Sequence, residues 1–377
     1  MNEPSALDVV QLTPAGRAAV ATVRIEGAGA CARVDACFEG TARRPISQLP
    51  PGRVAFGRFQ LGPGVADEVL VCRPADKVVE IHCHGGPVVV ERLVHALLAG
   101  GGRLLSWQEW VHRSFSSPIK AAACEALAGA LTLRAASILL DQFQGALDRA
   151  VEELCELTGQ RRRRLAIGRL QRLLALAPCG LHLARPWRVT LAGRPNAGKS
   201  SLLNAMVGYR RAIVHETPGT TRDVLTAVTA IDGWPVEFAD TAGLRPAATA
   251  VESEGIRFAE RRLQSADLAL LVVDAADWRV EDEALFGRYP DALLVANKID
   301  VAGSRPPPAS LPVSALTGAG IESLLAAIAS RLVSAPPRPG EAVPFTPEQA
   351  NSLRRAKNAL VDNDADAALV RLRELLA

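Results

Sequence analysis

Residues 193–200, Gly193-Arg-Pro-Asn-Ala-Gly198-Lys199-Ser200, stand between the apolar run Trp187-Arg-Val-Thr-Leu-Ala192 and the segment Ser201-Leu-Leu-Asn-Ala-Met206. No other feature constrains the fold as much. A G-x-x-x-x-G-K-[ST] spacing between a buried strand and the start of a helix lets backbone N–H groups point inward around oxyanions. The helix N-terminus adds the positive end of its dipole. The segment therefore predicts an α/β nucleotide-binding module with a phosphate loop made by Asn196, Ala197, Gly198, Lys199, Ser200 and Ser201. Lys199 is expected at the β- and γ-phosphates, and the Ser200 hydroxyl on magnesium. A glycine-rich turn without a ligand is the competing reading.

The choice of base is written further on. Asn297-Lys298-Ile299-Asp300 follows the apolar run Ala292-Leu-Leu-Val-Ala296. A carboxylate at Asp300 accepts two hydrogen bonds from N1–H and the 2-amino group of guanine, donors that adenine lacks, and a buried acceptor left unpaired rejects the wrong base. Asn297 is expected to pin the loop and the Lys298 stem to cover the ring. Ser314 and Ala315, after Leu311-Pro-Val313, form the third base-contact loop, with backbone N–H groups toward the guanine oxygen. GTP and GDP are the expected ligands. Asp240-Thr241-Ala242-Gly243 ends the strand Val236–Ala239 and places Asp240 near magnesium and the Gly243 N–H near the γ-phosphate. In Gly219-Thr220-Thr221-Arg222-Asp223, Thr221 is the expected second magnesium ligand. Leu244 stands where a water-orienting glutamine is found in many such enzymes, and no single arginine announces itself as a finger.

At 377 residues the chain exceeds the ~250–300 at which single cores stop growing, so two or three domains are expected. Residues 1–116 mix short alternating strands with turns and one helix, Pro87–Leu98. Residues 117–184 are rich in Ala, Leu and Arg and predict two long helices, about Ile119–Leu157, broken or kinked once, and Arg161–Leu176. The α/β module occupies 185–334. A Pro-rich linker opens the last segment, 335–377, in which Thr346-Pro-Glu-Gln starts a helix. The net charge of +3 gives no global field for polyanions, so any RNA contact must be local. Arg161-Arg-Arg-Arg164 with Arg169 and Arg172 is the one basic stretch, open to a phosphate-binding or a solvated-face reading. Aromatic residues make up 4%, too few for base-stacking platforms. Seven scattered cysteines without C-x-x-C pairs fit a reducing compartment. No signal-like N-terminus or long apolar run is seen, so a soluble, cytoplasmic protein without membrane partners is expected. His82-Cys83-His84 invites a metal, but the neighbourhood supplies no further ligands, and Gly85-Gly86 serves a turn into the helix.

With these motifs in place the chain resembles the bacterial tRNA modification GTPase family MnmE, also called TrmE. The likeness lies in GRPNAGKSSLLNAMVG, in AIV…GTTRDV and DTAGLR, and in two N-terminal blocks, Val20-Ala-Thr-Val-Arg24-Ile-Glu-Gly27 and Val79-Glu80-Ile-His-Cys-His84-Gly85-Gly86-Pro87. It covers about residues 8–334. The resemblance implies a multidomain α/β + α protein: a Ras-like P-loop GTPase domain inserted in a helical domain, after an N-terminal α+β TrmE-type domain that dimerises. It implies a potassium ion in place of an arginine finger, held by Asn196 and by the loop His215–Thr220 through His215, Thr217 and Thr220. It further implies Glu252 as the residue that positions water, making Glu252, Lys199 and Thr221 the catalytic set. 5-Formyltetrahydrofolate would sit at Arg24, Glu80 and Lys120, where arginine and glutamate suit an acidic tail and a pterin amide edge. The implied partners are tRNA and an MnmG-like flavoprotein, and the implied role is modification of the wobble uridine. Two departures stand out. Ser106–Glu125 keeps Glu109, Arg113 and Phe115 of a family motif but lacks its NGK-D-L core, and the sequence finishes Arg371-Leu-Arg-Glu-Leu-Leu-Ala377 without the family's Cys-x-Gly-Lys. They raise the alternative of a reduced relative, a regulatory or RNA/ribosome assembly GTPase without modification chemistry.

Overall fold

The computed structural model describes residues 7–99, 101–209, 226–240 and 263–377. The chain divides into two compact units, residues 1–116 and 117–377.

The first unit is built on a seven-stranded sheet of order β3-β4-β5-β6-β2-β1-β7. Its strands are β1 (Asp8–Gln11), β2 (Val20–Glu26), β3 (Phe38–Gly40), β4 (Val54–Gly62), β5 (Val65–Ala75), β6 (Val78–His84) and β7 (Arg103–Leu105). Neighbours are antiparallel except β1 and β7. Period-two patterning sorts the side chains. Val23, Ile25, Val79, Ile81 and Cys83 face a core closed by α1 (Ala30–Asp35) and α2 (Pro87–Leu98). Arg24, Glu80, His82 and His84 lie on the other face, together with the exposed Val54, Phe56 and Leu70. Helices α1 and α3 (Trp107–Ser114) escape sequence periodicity because they are short. The Ser106 hydroxyl and the Glu109 carboxylate cap α3 reciprocally.

The second unit begins with helices, and here the expectation needs correction. The stretch read as one helix broken or kinked once is three: α4 (Pro118–Ala128), α5 (Leu133–Phe143) and α6 (Ala146–Gly159). Thr132 starts α5 by accepting the Ala135 N–H at 3.2 Å, and Gly145, at φ 90°, breaks the chain between α5 and α6. Helix α7 runs Arg163–Gly180, through Pro178. After it comes a six-stranded sheet of order β13-β12-β11-β8-β10-β9. Its members are β8 (Trp187–Ala192), β9 (Thr226–Ile231), β10 (Trp234–Asp240), β11 (Leu268–Asp274), β12 (Leu293–Asn297) and β13 (Leu311–Pro312), and only β9 runs antiparallel. Helices α8 (Lys199–Tyr209), α9 (Val280–Arg288) and α10 (Ile321–Leu332) accompany it. The chain then returns to the first helices: α11 (Pro347–Val361) packs on α7, and α12 (Ala365–Arg373) on α6. Thr346 caps α11 through the Gln349 N–H at 3.2 Å. Gln142 is buried and fastens the returning linker, donating to Glu341 O at 3.0 Å and accepting from Val343 N at 3.1 Å. Among the described residues no helix is long and apolar enough to cross a membrane.

Candidate active site

Strand β8 lies between β10 and β11, and its C-terminal end opens into residues 193–198. A crevice at the carboxyl ends of parallel strands is where α/β sheets hold ligands. The loop passes so close to its neighbours that side chains are excluded. A Cβ on Gly193 would lie 2.0 Å from the Val272 carbonyl oxygen, and one on Gly198 2.3 Å from Asn297 Nδ2. Gly198 has φ 88° and the exposed Asn196 φ 64°. Lys199 is only 6% exposed, and its Nζ donates to the carbonyls of Gly193 at 2.9 Å and Arg194 at 3.0 Å. An ammonium buried against its own loop is already aimed at the space the loop encloses. Ser200 and Ser201 are in the first turn of α8, both exposed.

The base end is joined to this loop by one side chain. Asn297, 1% exposed at the end of β12, donates from Nδ2 to the Ala197 carbonyl at 3.0 Å and accepts the Ala315 N–H on Oδ1 at 3.0 Å. Lys298 (φ 65°) pairs with Asp274 at 2.7 Å, holding its stem alongside the loop. The Ser314 hydroxyl donates to Asp300 Oδ1 and also accepts the Thr317 N–H at 3.1 Å. The second carboxylate oxygen of the exposed Asp300 is thereby oriented for a base edge. The N–H groups of Ser314 and Ala315 are engaged inside the chain, by the Ala319 carbonyl at 2.9 Å and by Asn297.

Sequence reading missed Arg194. Its Nε lies 2.9 Å from both oxygens of Asp282 and its Nη2 2.8 Å from Asp282 Oδ2, and Nη2 also donates to the Asp277 carbonyl. Asp282, 2% exposed in the first turn of α9, accepts the Arg279 N–H at 3.1 Å as well. No local pattern joins two residues 88 positions apart, so no sequence signal marks this pair.

Of the other expected site residues, Asp240 is the last residue of β10 and pairs by backbone register with Leu191. His215, Thr217, Thr220, Thr221, Thr241, Ala242, Gly243 and Glu252 lie outside the described residues. Arg24 and Glu80 face each other on β2 and β6 and form an ion pair at 3.0 Å. The Arg24 guanidinium also bonds Glu26 and lies 5.0 Å over the Trp110 ring. Lys120 sits in the first turn of α4, in the second unit. His82 bonds Thr22 Oγ1 at 3.0 Å and His84 bonds Asp67 at 2.6 Å, whereas Cys83 faces the core, where burial pushes its thiol up to about 11. His-Cys-His therefore does not converge on one point. The basic stretch is also divided. Arg163 donates to the Leu360 and Val361 carbonyls at the end of α11, Arg169 pairs with Glu153 at 3.2 Å, and Arg172 with Glu341 at 2.7 Å.

A strand–loop–helix phosphate cradle beside an N-K-x-D loop, on a sheet of this order, defines a P-loop GTPase. The family described as "50S ribosome-binding GTPase" matches residues 188–298, and "GTP-binding protein TrmE N-terminus" matches 9–118. The tRNA modification GTPase MnmE of Thermus thermophilus is 32% identical over 92% of this chain and 87% of its own. Those of Parasynechococcus marenigrum and Chlorobium phaeovibrioides are each 35% identical, over 84% and 77% of this chain and 79% and 71% of theirs. Among solved structures, the G domain of the T. maritima FeoB iron transporter matches 40% of this chain and 98% of its own at 24% identity, with a TM-score of 0.29. The chain belongs to the MnmE family of tRNA modification GTPases. It is a GTPase, and GTP and GDP are its nucleotides.

Proposed function

We propose that this chain is a potassium-activated GTPase acting in the cytoplasm as a homodimer, which takes part with an MnmG-like flavoprotein in modifying the wobble uridine of tRNA. The observation that carries the reading is the nucleotide site made continuous by Asn297, in a chain whose first unit matches the TrmE N-terminus. The loop suits a phosphate chain because it turns through positive φ at Asn196 and Gly198 directly into the N-terminus of α8, the positive end of that helix's dipole. Lys199 holds positive charge against the β- and γ-phosphates, and Ser200, Thr221 and Asp240 are the magnesium set. Magnesium, when bound, neutralises charge on the phosphate oxygens. Asn196 with His215, Thr217 and Thr220 would hold potassium, Glu252 would orient water, and Thr241, Ala242 and Gly243 would meet the γ-phosphate. A cation there stabilises the charge that spreads in the transition state, the largest contribution available to phosphoryl transfer. Support for the dimer comes from the open sheet face of the first unit, where Val54, Phe56 and Leu70 are 57%, 47% and 45% exposed.

Turnover measured in potassium and in sodium tests the cation: hydrolysis should need potassium while GDP binding does not, and equal rates would remove potassium from the mechanism. Nucleoside mass spectrometry of tRNA from cells lacking the protein tests the RNA role. Unchanged wobble uridines would leave a regulatory GTPase instead. A 5-formyltetrahydrofolate at Arg24 and Glu80 would meet groups that pair with each other in the first unit, and calorimetric titration should show heat with the wild type and none with Arg24→Ala.

A further inference from the structure

Arg194 occupies the second position of the phosphate loop, yet its guanidinium turns sideways to α9, where Asp282 and the Asp277 carbonyl hold it. Asp282 is all but excluded from water, and apart from Arg194 its acceptor capacity is met by the Arg279 N–H. Such a carboxylate requires the cation beside it, and the forked geometry of arginine fixes direction as well as distance. The backbone of Arg194 complements the side chain, because its carbonyl accepts from Lys199 Nζ at 3.0 Å and from the Ala197 N–H at 3.4 Å. The residue whose side chain is clamped thus presents one of the two oxygens that aim the lysine.

We propose that Arg194 is a positioning residue for nucleotide phosphate: its clamp on Asp282 ties the phosphate loop to α9 and sets the carbonyl that orients Lys199. Arg194 does not touch the phosphates itself. Its contribution is to remove alternative loop conformations before the nucleotide arrives, so the β-phosphate meets a loop already shaped for it. A residue that merely stabilised the domain would weaken every ligand alike. A phosphate-positioning residue weakens ligands in proportion to the phosphates they carry.

The test compares GDP with guanosine, which has the base and no phosphate, on the full chain. With Arg194→Ala the GDP affinity should fall at least tenfold while guanosine affinity changes less than twofold. Arg194→Lys, which keeps charge but cannot grip both oxygens, should lie between. Asp282→Asn, similar in size and free of an unpaired buried charge, should reproduce the Arg194→Ala pattern and serves if that variant does not fold. GDP binding within twofold of wild type in both Arg194→Ala and Asp282→Asn would overturn the assignment, as would losses of equal factor for GDP and guanosine. The readout concerns the GTP site alone and is independent of any result with tRNA.

Discussion

Replacing Asn297 by alanine should uncouple the two ends of the nucleotide site. The side chain is buried and makes two bonds, one to the Ala197 carbonyl of the phosphate loop and one from the Ala315 N–H of the base loop, each 3.0 Å long. Alanine removes both and strands a buried acceptor and a buried donor. Each orphan costs about 1–3 kcal/mol, and water entering the vacated space relieves part of that. A net ~2–3 kcal/mol between the loops corresponds to roughly 30- to 150-fold in nucleotide affinity, if the loops separate in the free protein and must be gathered on binding. Titration with a fluorescent GDP analogue, and competition by guanosine, reads both ends. Here both ligands should weaken, in contrast to Arg194→Ala. Asn297→Asp should be at least as damaging, because it sets a carboxylate oxygen against the Ala197 carbonyl. A GDP affinity within threefold of wild type in Asn297→Ala would refute the idea that this side chain joins the loops.

Gly198→Ala should abolish GDP binding to beyond ~100-fold, since its Cβ would come within 2.3 Å of Asn297 Nδ2 and its φ of 88° costs an L-residue about 1–2 kcal/mol; titration with the same analogue checks it. Asp300→Asn replaces an acceptor with a donor facing guanine N1–H or the amino group, and should cost GTP at least about tenfold in affinity while leaving ATP unchanged. His182 stacks on Trp187 with ring centroids 3.6 Å apart, and burial lowers its pKa from the ordinary 6.5 despite the Asp267 carboxylate nearby. Its unfolded form therefore takes up a proton at higher pH than its folded form. Stability from neutral His182 is complete above pH ~6.5 and is lost as the pH falls through the folded value. The thermal midpoint should drop between pH 7.5 and 5.5 by less in His182→Phe than in the wild type.

What the sequence reveals of this protein is what the backbone itself encodes. The phosphate loop is legible because glycines at 193 and 198 mark places where no side chain fits, and the base loop because Asn297 and Asp300 follow an apolar strand. The helical segments are less so: an Ala- and Leu-rich composition favours helix throughout, and the breaks depend on Thr132 and Gly145 acting as a cap and a left-handed turn. Pairings across long separations are not legible at all. Arg163 reads as part of a phosphate-binding run, yet it meets carbonyls at Leu360 and Val361, which arrive only after the whole GTPase segment has been traversed.

That traverse also fixes how the GTPase sheet is attached. The chain leaves the helices after Gly180 and returns to them before Thr346, and the two crossings touch, since a Cβ on Gly180 would lie 2.0 Å from the Pro344 carbonyl oxygen. Gln142 binds the returning linker on one side, and on the other His182 stacks on the first residue of β8. Strand β8 runs from this junction to the phosphate loop with no intervening turn. Val189 and Leu191 are fully buried along that strand, so its core-facing side is fixed between the junction and the phosphate loop. Among the described residues, the shortest covalent path from the phosphate loop to the helical bundle is that strand and the turn carrying His182.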